Sequence, residues 1–107
     1  EEDYGSEPAN VKNPRDYFYL IVRGDSMEPR LHDGDIVMIR IQPDVLDGQI
    51  AAVLIGDEAT LKRVYHIPNG VRLVSENAKY APMVFSYPAQ DSIRILGLAI
   101  AFSGAIV

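Results

Sequence analysis

This sequence predicts an all-β domain, on three observations. Short runs rich in β-branched and aromatic residues recur along the chain, as strands require. Turn-forming residues separate those runs at short intervals. No long stretch carries the 3.6-residue period of an amphipathic helix.

Residues 1–16 hold two prolines, a glycine and mixed polar residues, and read as an N-terminal arm or linker remnant. The domain proper is expected over residues 17–107. Its first strand is Tyr17–Arg23 (YFYLIVR), aromatic and β-branched. Asp35–Ile41 and Gln49–Ile55 follow as second and third strands. A fourth, Ala59–Ile67, turns at Pro68-Asn69-Gly70 into a fifth at Val71–Ser75, and Ser92–Phe102 is the last. The turns are His32-Asp33-Gly34, Asp47-Gly48, Gly56-Asp57 and Asn69-Gly70. Glu28–His32 fits a single helical turn, with Pro29 tolerated early in it.

Composition narrows the function classes. At 107 residues, 48% hydrophobic and 23% charged, the chain can bury one modest core. Its formal charge is −5, and Glu1, Glu2, Asp3 and Glu7 carry most of that excess. Lysine and arginine are not clustered as a phosphate-binding surface would need, so these residues are not expected to hold nucleic acid themselves. The absence of cysteine excludes disulfides and thiol catalysis. The acidic N-terminus does not resemble a signal peptide. The uncharged run Ile95 to Val107 falls short of the roughly 20 apolar residues of a spanning helix. Composition leaves the compartment open, and the expectation is a soluble domain with no membrane span, cofactor or metal.

The chemistry-bearing stretch is Arg23-Gly24-Asp25-Ser26-Met27-Glu28-Pro29, directly after the first strand. A serine following glycine at a strand end can be held in a tight bend where backbone N–H groups face a developing oxyanion. Alone that signal is weak, because turn serines are common. It is followed by a Leu-x-Asp-Gly-Asp turn (Leu31 to Asp35) and by Lys62-Arg63 inside the fourth strand. Then come Ser75-Glu76-Asn77, Tyr80-x-Pro82 and a closing Ile95-Leu96-Gly97. A serine hydroxyl needs a base to become a nucleophile, and lysine can serve when neutral. Alternation places Thr60, Lys62, Val64 and His66 on one strand face, with Leu61, Arg63 and Tyr65 on the other. The bland alternative for Lys62-Arg63 is a charged pair on a solvated edge strand.

This order of motifs, from Tyr17 to Phe102, resembles the peptidase domain of LexA-like repressors, phage repressors and UmuD-type mutagenesis proteins. The resemblance implies a LexA/signal-peptidase-like β domain of short, strongly bent strands. Carried over residue by residue, it makes Ser26 the nucleophile and Lys62 the general base. Backbone N–H groups of Asp25 and Ser26 become the oxyanion hole, and Gly24, Met27 and Pro29 shape the bend. The implied activity is autoproteolysis by a Ser-Lys dyad within an SOS-type repressor. The implied partners are a second copy of the chain, an upstream cleavage segment and a RecA-type filament as stimulator. DNA would be bound only through a helix-turn-helix domain missing from this sequence.

One departure stands out: family members cut a bond, commonly Ala-Gly, well before the nucleophile, and none lies among the 25 residues preceding Ser26. Tyr4-Gly5 is the sole X-Gly bond in the arm. A C-terminal fragment is therefore expected. Two other readings stay open: a type I signal peptidase, resembled through Ser26-Met27-x-Pro29 and Lys62-Arg63-Val64, and a dimerisation module with a vestigial dyad. His32 and His66 have no partner at metal-ligand spacing, and Asp33 with Asp35 is read as fixing a turn. Arg63 is placed at a solvated edge. Ile93, Ile95, Leu98, Ile100 and Phe102, with Ala105-Ile106-Val107, suggest a homodimer through the C-terminal strand.

Overall fold

A computed structural model describes residues 14–86 and 93–104. A short 3-10 turn, Pro14–Asp16, leads into β1 (Tyr17–Ile21) and β2 (Ile36–Ile41). β3 (Ile50–Ile55), β4 (Glu58–Ile67), β5 (Gly70–Val74), β6 (Met83–Ser86) and β7 (Ile93–Ser103) complete the order. All six strands expected from the sequence form, each within a residue or two of its expected limits. The rest of the arm, with Tyr4-Gly5, lies outside the described residues, as do Ser92 and Ala105-Ile106-Val107.

Every strand pairs antiparallel in one seven-stranded sheet, ordered β1-β2-β7-β3-β4-β5-β6. The long excursion is that of β7, which returns from the C-terminal end to insert between β2 and β3. Both faces of β3 are buried. Ala52 joins Leu20, Val22, Met27, Leu31, Val37, Ile39 and Leu61 in one apolar cluster, and Ala51 and Val53 join Val45, Val64, Val71 and Leu73 in the other. Period-two alternation thus feeds two cores from one strand, and small Ala51 and Ala52 allow close packing there.

β6 is the strand that sequence reading omitted. Its four residues follow Pro82 and pair only with β5, at the sheet edge. Met83 and Phe85 turn toward the second core while Val84 faces solvent, the alternation of a half-buried edge strand.

The turns follow their residue chemistry. Gly56 (φ 64) opens the two-residue β3–β4 turn, as type II′ geometry demands. The β4–β5 turn is one residue earlier than expected: Ile67 pairs with Gly70, so Pro68-Asn69 is the loop and Gly70 belongs to β5. Asn69 takes the left-handed conformation (φ 64) that follows Pro in a type II turn. The anticipated helical turn is a single one, closed by Leu31 N–H donating to Met27 C=O at 2.8 Å.

β7 bends at two irregularities. Against β2 the register skips Ile100, and against β3 it skips Leu96; such bulges bend and twist a strand. Gly97, in the bend, meets the Arg40 carbonyl so closely that a Cβ would lie 2.2 Å from that oxygen and 2.7 Å from Ile39 Cγ2. Gly97→Ala should therefore destabilise the domain by about 1–3 kcal/mol. Urea denaturation checks this, and an unchanged midpoint would show that the β2–β7 contact is slack.

Candidate active site

Ser26 lies in the 22–35 loop between β1 and β2, which the sequence ties down at several points. Val22 N–H donates to Asp35 C=O and Gly34 N–H to Val22 C=O, each at 2.8 Å. Asp33 Oδ1 accepts the Gly24 N–H at 2.7 Å, and Asp35 Oδ2 accepts the His32 N–H at 2.8 Å. The two aspartates serve the backbone, as their turn sequence suggested. Gly24 has φ 83, conformationally open to glycine but strained for other residues. Met27 and Leu31, 2% and 3% exposed, plug the loop into the first core. Pro29 is exposed and follows a cis peptide bond.

Lys62 approaches from β4. That strand lies between β3 and β5, so the edge-strand alternative is overturned: pairing with β3 on one side and β5 on the other makes β4 an interior strand. Lys62 is only 7% exposed. Its Nζ is 3.2 Å from Ser26 Oγ, 36 residues away, and also donates to Thr60 Oγ1 at 3.3 Å and Leu61 C=O at 3.2 Å. Thr60 and Lys62 meet because alternate residues share a strand face.

Arg63 is not a solvated edge residue either. Its Nε donates to Glu76 Oε1 at 2.7 Å and its Nη2 to Glu76 Oε2 at 3.1 Å, a two-pronged pair. Nη1 donates to Gly48 C=O, and Arg30, from the loop that carries Ser26, shares Glu76 Oε2 at 2.8 Å. Glu76 therefore joins β4 to the loop that carries Ser26. The Arg63 guanidinium holds the Glu76 carboxyl at about 2, Arg30 adding to its pull against the opposing effect of burial.

The neighbouring β5–β6 loop grips the serine's peptides. Asn77 N–H donates to Ser26 C=O, and Asn77 Nδ2 to Asp25 C=O, each at 3.0 Å. The Asp25 carboxylate accepts the Tyr80 hydroxyl and pairs with Lys79 at 2.8 Å; the bond to Lys79, then that to Tyr80, lowers its pKa. Ser75-Glu76-Asn77 and Tyr80 were visible as motifs, but their contacts were not, since hydrogen bonds of irregular loops leave no periodic trace.

The two histidines meet carboxylates. His32 lies 3.5 Å from Glu28. His66 sits between Asp44, 2.9 Å from Nε2, and Asp47, 2.6 Å from Nδ1; those carboxylates, Asp44 first, raise its pKa. Among the described residues no group of side chains could hold a metal, and no helix is long and apolar enough to cross a membrane.

A carboxyl depressed by folding adds stability above its unfolded pKa, near 4.5, and that stability is lost as pH falls through about 2. Glu76→Gln should remove this contribution and cost about 1–3 kcal/mol at neutral pH, leaving Arg63 half-buried without its charge partner. Denaturant melts from pH 7 to pH 2 check it: the parent and variant curves should converge toward the acid end.

Comparison with known proteins gives one answer. Residues 1–100 match the Peptidase S24-like family. The chain is 41% identical over 91 residues to the LexA repressor of Desulforamulus reducens, covering 84% of this chain and 40% of that protein. Against the LexA repressor of Thermobifida fusca it is 40% identical over 97 residues, 90% of this chain and 36% of the relative. Against that of Paraburkholderia xenovorans it is 38% identical over 100 residues, 92% and 45%. The chain spans less than half the length of these relatives. With the β fold and the extent of the match both in hand, the chain belongs to the Peptidase S24-like family.

Proposed function

We propose that this chain is the C-terminal self-cleaving and dimerising domain of a LexA-like repressor, with Ser26 as nucleophile and Lys62 as general base. The observation that carries the reading is a buried Lys62 amine 3.2 Å from the Ser26 hydroxyl. Burial penalises the ammonium and favours the neutral amine that a base must be. The amine takes the Ser26 proton as Oγ attacks the scissile carbonyl, and returns it to the departing amine nitrogen. Backbone N–H groups of Asp25 and Ser26 receive the oxyanion. The substrate is an upstream segment of the same polypeptide with an Ala-Gly bond. DNA binding belongs to a separate domain. The repressor names of the relatives favour this over the signal-peptidase reading.

In a chain extended upstream by a segment with an Ala-Gly bond, cleavage should quicken as pH rises and then level off. The sign follows from the base, whose neutral fraction grows until the amine is fully deprotonated. Ser26→Ala and Lys62→Ala should each lower the rate by about a thousandfold or more with the fold intact. Gel or mass-spectrometric time courses measure this, and parental cleavage by Lys62→Ala would refute the dyad.

The dimer rests on the outer half of β7. Ile93, Ile95 and Leu98 pack on the second core, so that part of the strand is covered within one chain. Ile100 and Phe102 remain 40% and 56% exposed, beside Ile36 at 37%. Tyr19, Ile36, Met38 and Phe102 line a shallow apolar hollow there, a surface that a second copy would cover symmetrically. Ile100→Asp or Phe102→Asp should shift a concentration series toward monomer in sedimentation, whereas Ser26→Ala should not. A parent chain that stays monomeric well above micromolar concentration would exclude the dimer.

A further inference from the structure

We propose that Asn77 is a positioning residue for the reaction: its side-chain amide aims the Ser26 N–H at the oxyanion. The inference rests on the dyad reading above and deepens it. A trans peptide unit is planar, with its C=O and N–H pointing in opposite directions. Asp25 C=O and Ser26 N–H belong to one such unit. Asn77 Nδ2 holds that carbonyl at 3.0 Å, so the direction of the Ser26 N–H is set from the far side of the peptide. The hydrogen bond also polarises the unit, making its N–H a better donor.

Two further bonds fix the amide itself. Asn77 Oδ1 accepts the Lys79 N–H at 3.1 Å, which only an oxygen can do, so the nitrogen faces Asp25. The Asn77 backbone N–H donates to Ser26 C=O at 3.0 Å, steadying the next peptide, which carries the Met27 N–H. Asn77 thus spans the two peptide units that flank the Ser26 α-carbon. It is anchored in turn by its neighbour Glu76, paired with Arg63 and Arg30. The donor to the oxyanion is therefore held by β4, the strand that carries Lys62.

Asn77→Asp is the decisive substitution. It keeps the shape, the backbone N–H and the acceptor for Lys79, but replaces the donor to Asp25 C=O by an oxygen. Asn77→Ala removes the same donor without adding charge. For the 107-residue chain cutting a peptide with an Ala-Gly bond in trans, kcat should fall about 10- to 100-fold, below the loss for deleting an oxyanion donor outright. KM should stay put in both variants, and the pH midpoint of the rate should stay put in Asn77→Ala, which adds no charge beside Lys62. Amide NMR reads the same effect without substrate: the Ser26 N–H resonance and its hydrogen exchange should change in both variants while most other amides do not. Parental kcat in both variants, a loss confined to KM, or an unmoved Ser26 amide would overturn the role of Asn77. A parent chain whose cutting survives Ser26→Ala would instead overturn the dyad, leaving the amide measurement to judge Asn77 alone.

Discussion

The constraint on which the site depends is a lysine amine held inside the sheet. A lysine normally keeps its charge in water, and burying one is costly unless it is neutralised or well bonded. Here Lys62 sits on an interior strand at 7% exposure, with Ser26 and Thr60 hydroxyls and Leu61 C=O around its Nζ. These oxygens are uncharged and can accept from an ammonium or an amine. Under the proposed mechanism, burial among these contacts favours the neutral amine that takes the Ser26 proton. Much of the surrounding structure serves that placement.

β4 can bury a lysine only because other strands cover it on both sides. β3 supplies one neighbour and β5 the other, while β7, bent at Gly97, closes the sheet between β2 and β3. The nucleophile loop must then reach β4 across the fold. Met27 and Leu31 fill the first core, which fixes the loop by burial of apolar surface. The directional contacts come from polar groups: Asp33 and Asp35 shape the loop, and Glu76 and Asn77 attach it to the far strands. Burial sets roughly where the loop sits, and hydrogen bonds set where its serine points.

The sequence showed the strands well, since their texture is local. Gly56-Asp57 and Pro68-Asn69 marked two hairpins through backbone preferences that need no distant partner. Ser26 and Lys62 were legible through the order of their motifs. What escaped was everything topology decides. Arg63 looked like an edge residue because nothing in the local sequence says that Glu76, 13 residues on, will meet its guanidinium. β6 was missed because four residues after a proline carry a weak signal, and its identity as a strand comes from pairing with β5. His66 was read without partners because Asp44 and Asp47 lie 22 and 19 residues away, beyond any ligand spacing within one element. C-terminal apolarity was read as one surface, yet the bulges divide β7 into a core half and an exposed half.

The charges around the site also have an order that bears on the base. Glu76 answers two arginines, of which Arg63 is half-buried and Arg30 largely exposed. The Asp25 carboxylate, next to the nucleophile, is matched by Lys79. An unmatched carboxylate near a lysine would favour its ammonium and work against a base. Pairing both acids with cations weakens that pull. The pairs that hold the loops in place thus also bear on the neutral amine that the proposed chemistry requires, and a single substitution at Arg63 would disturb geometry and electrostatics together.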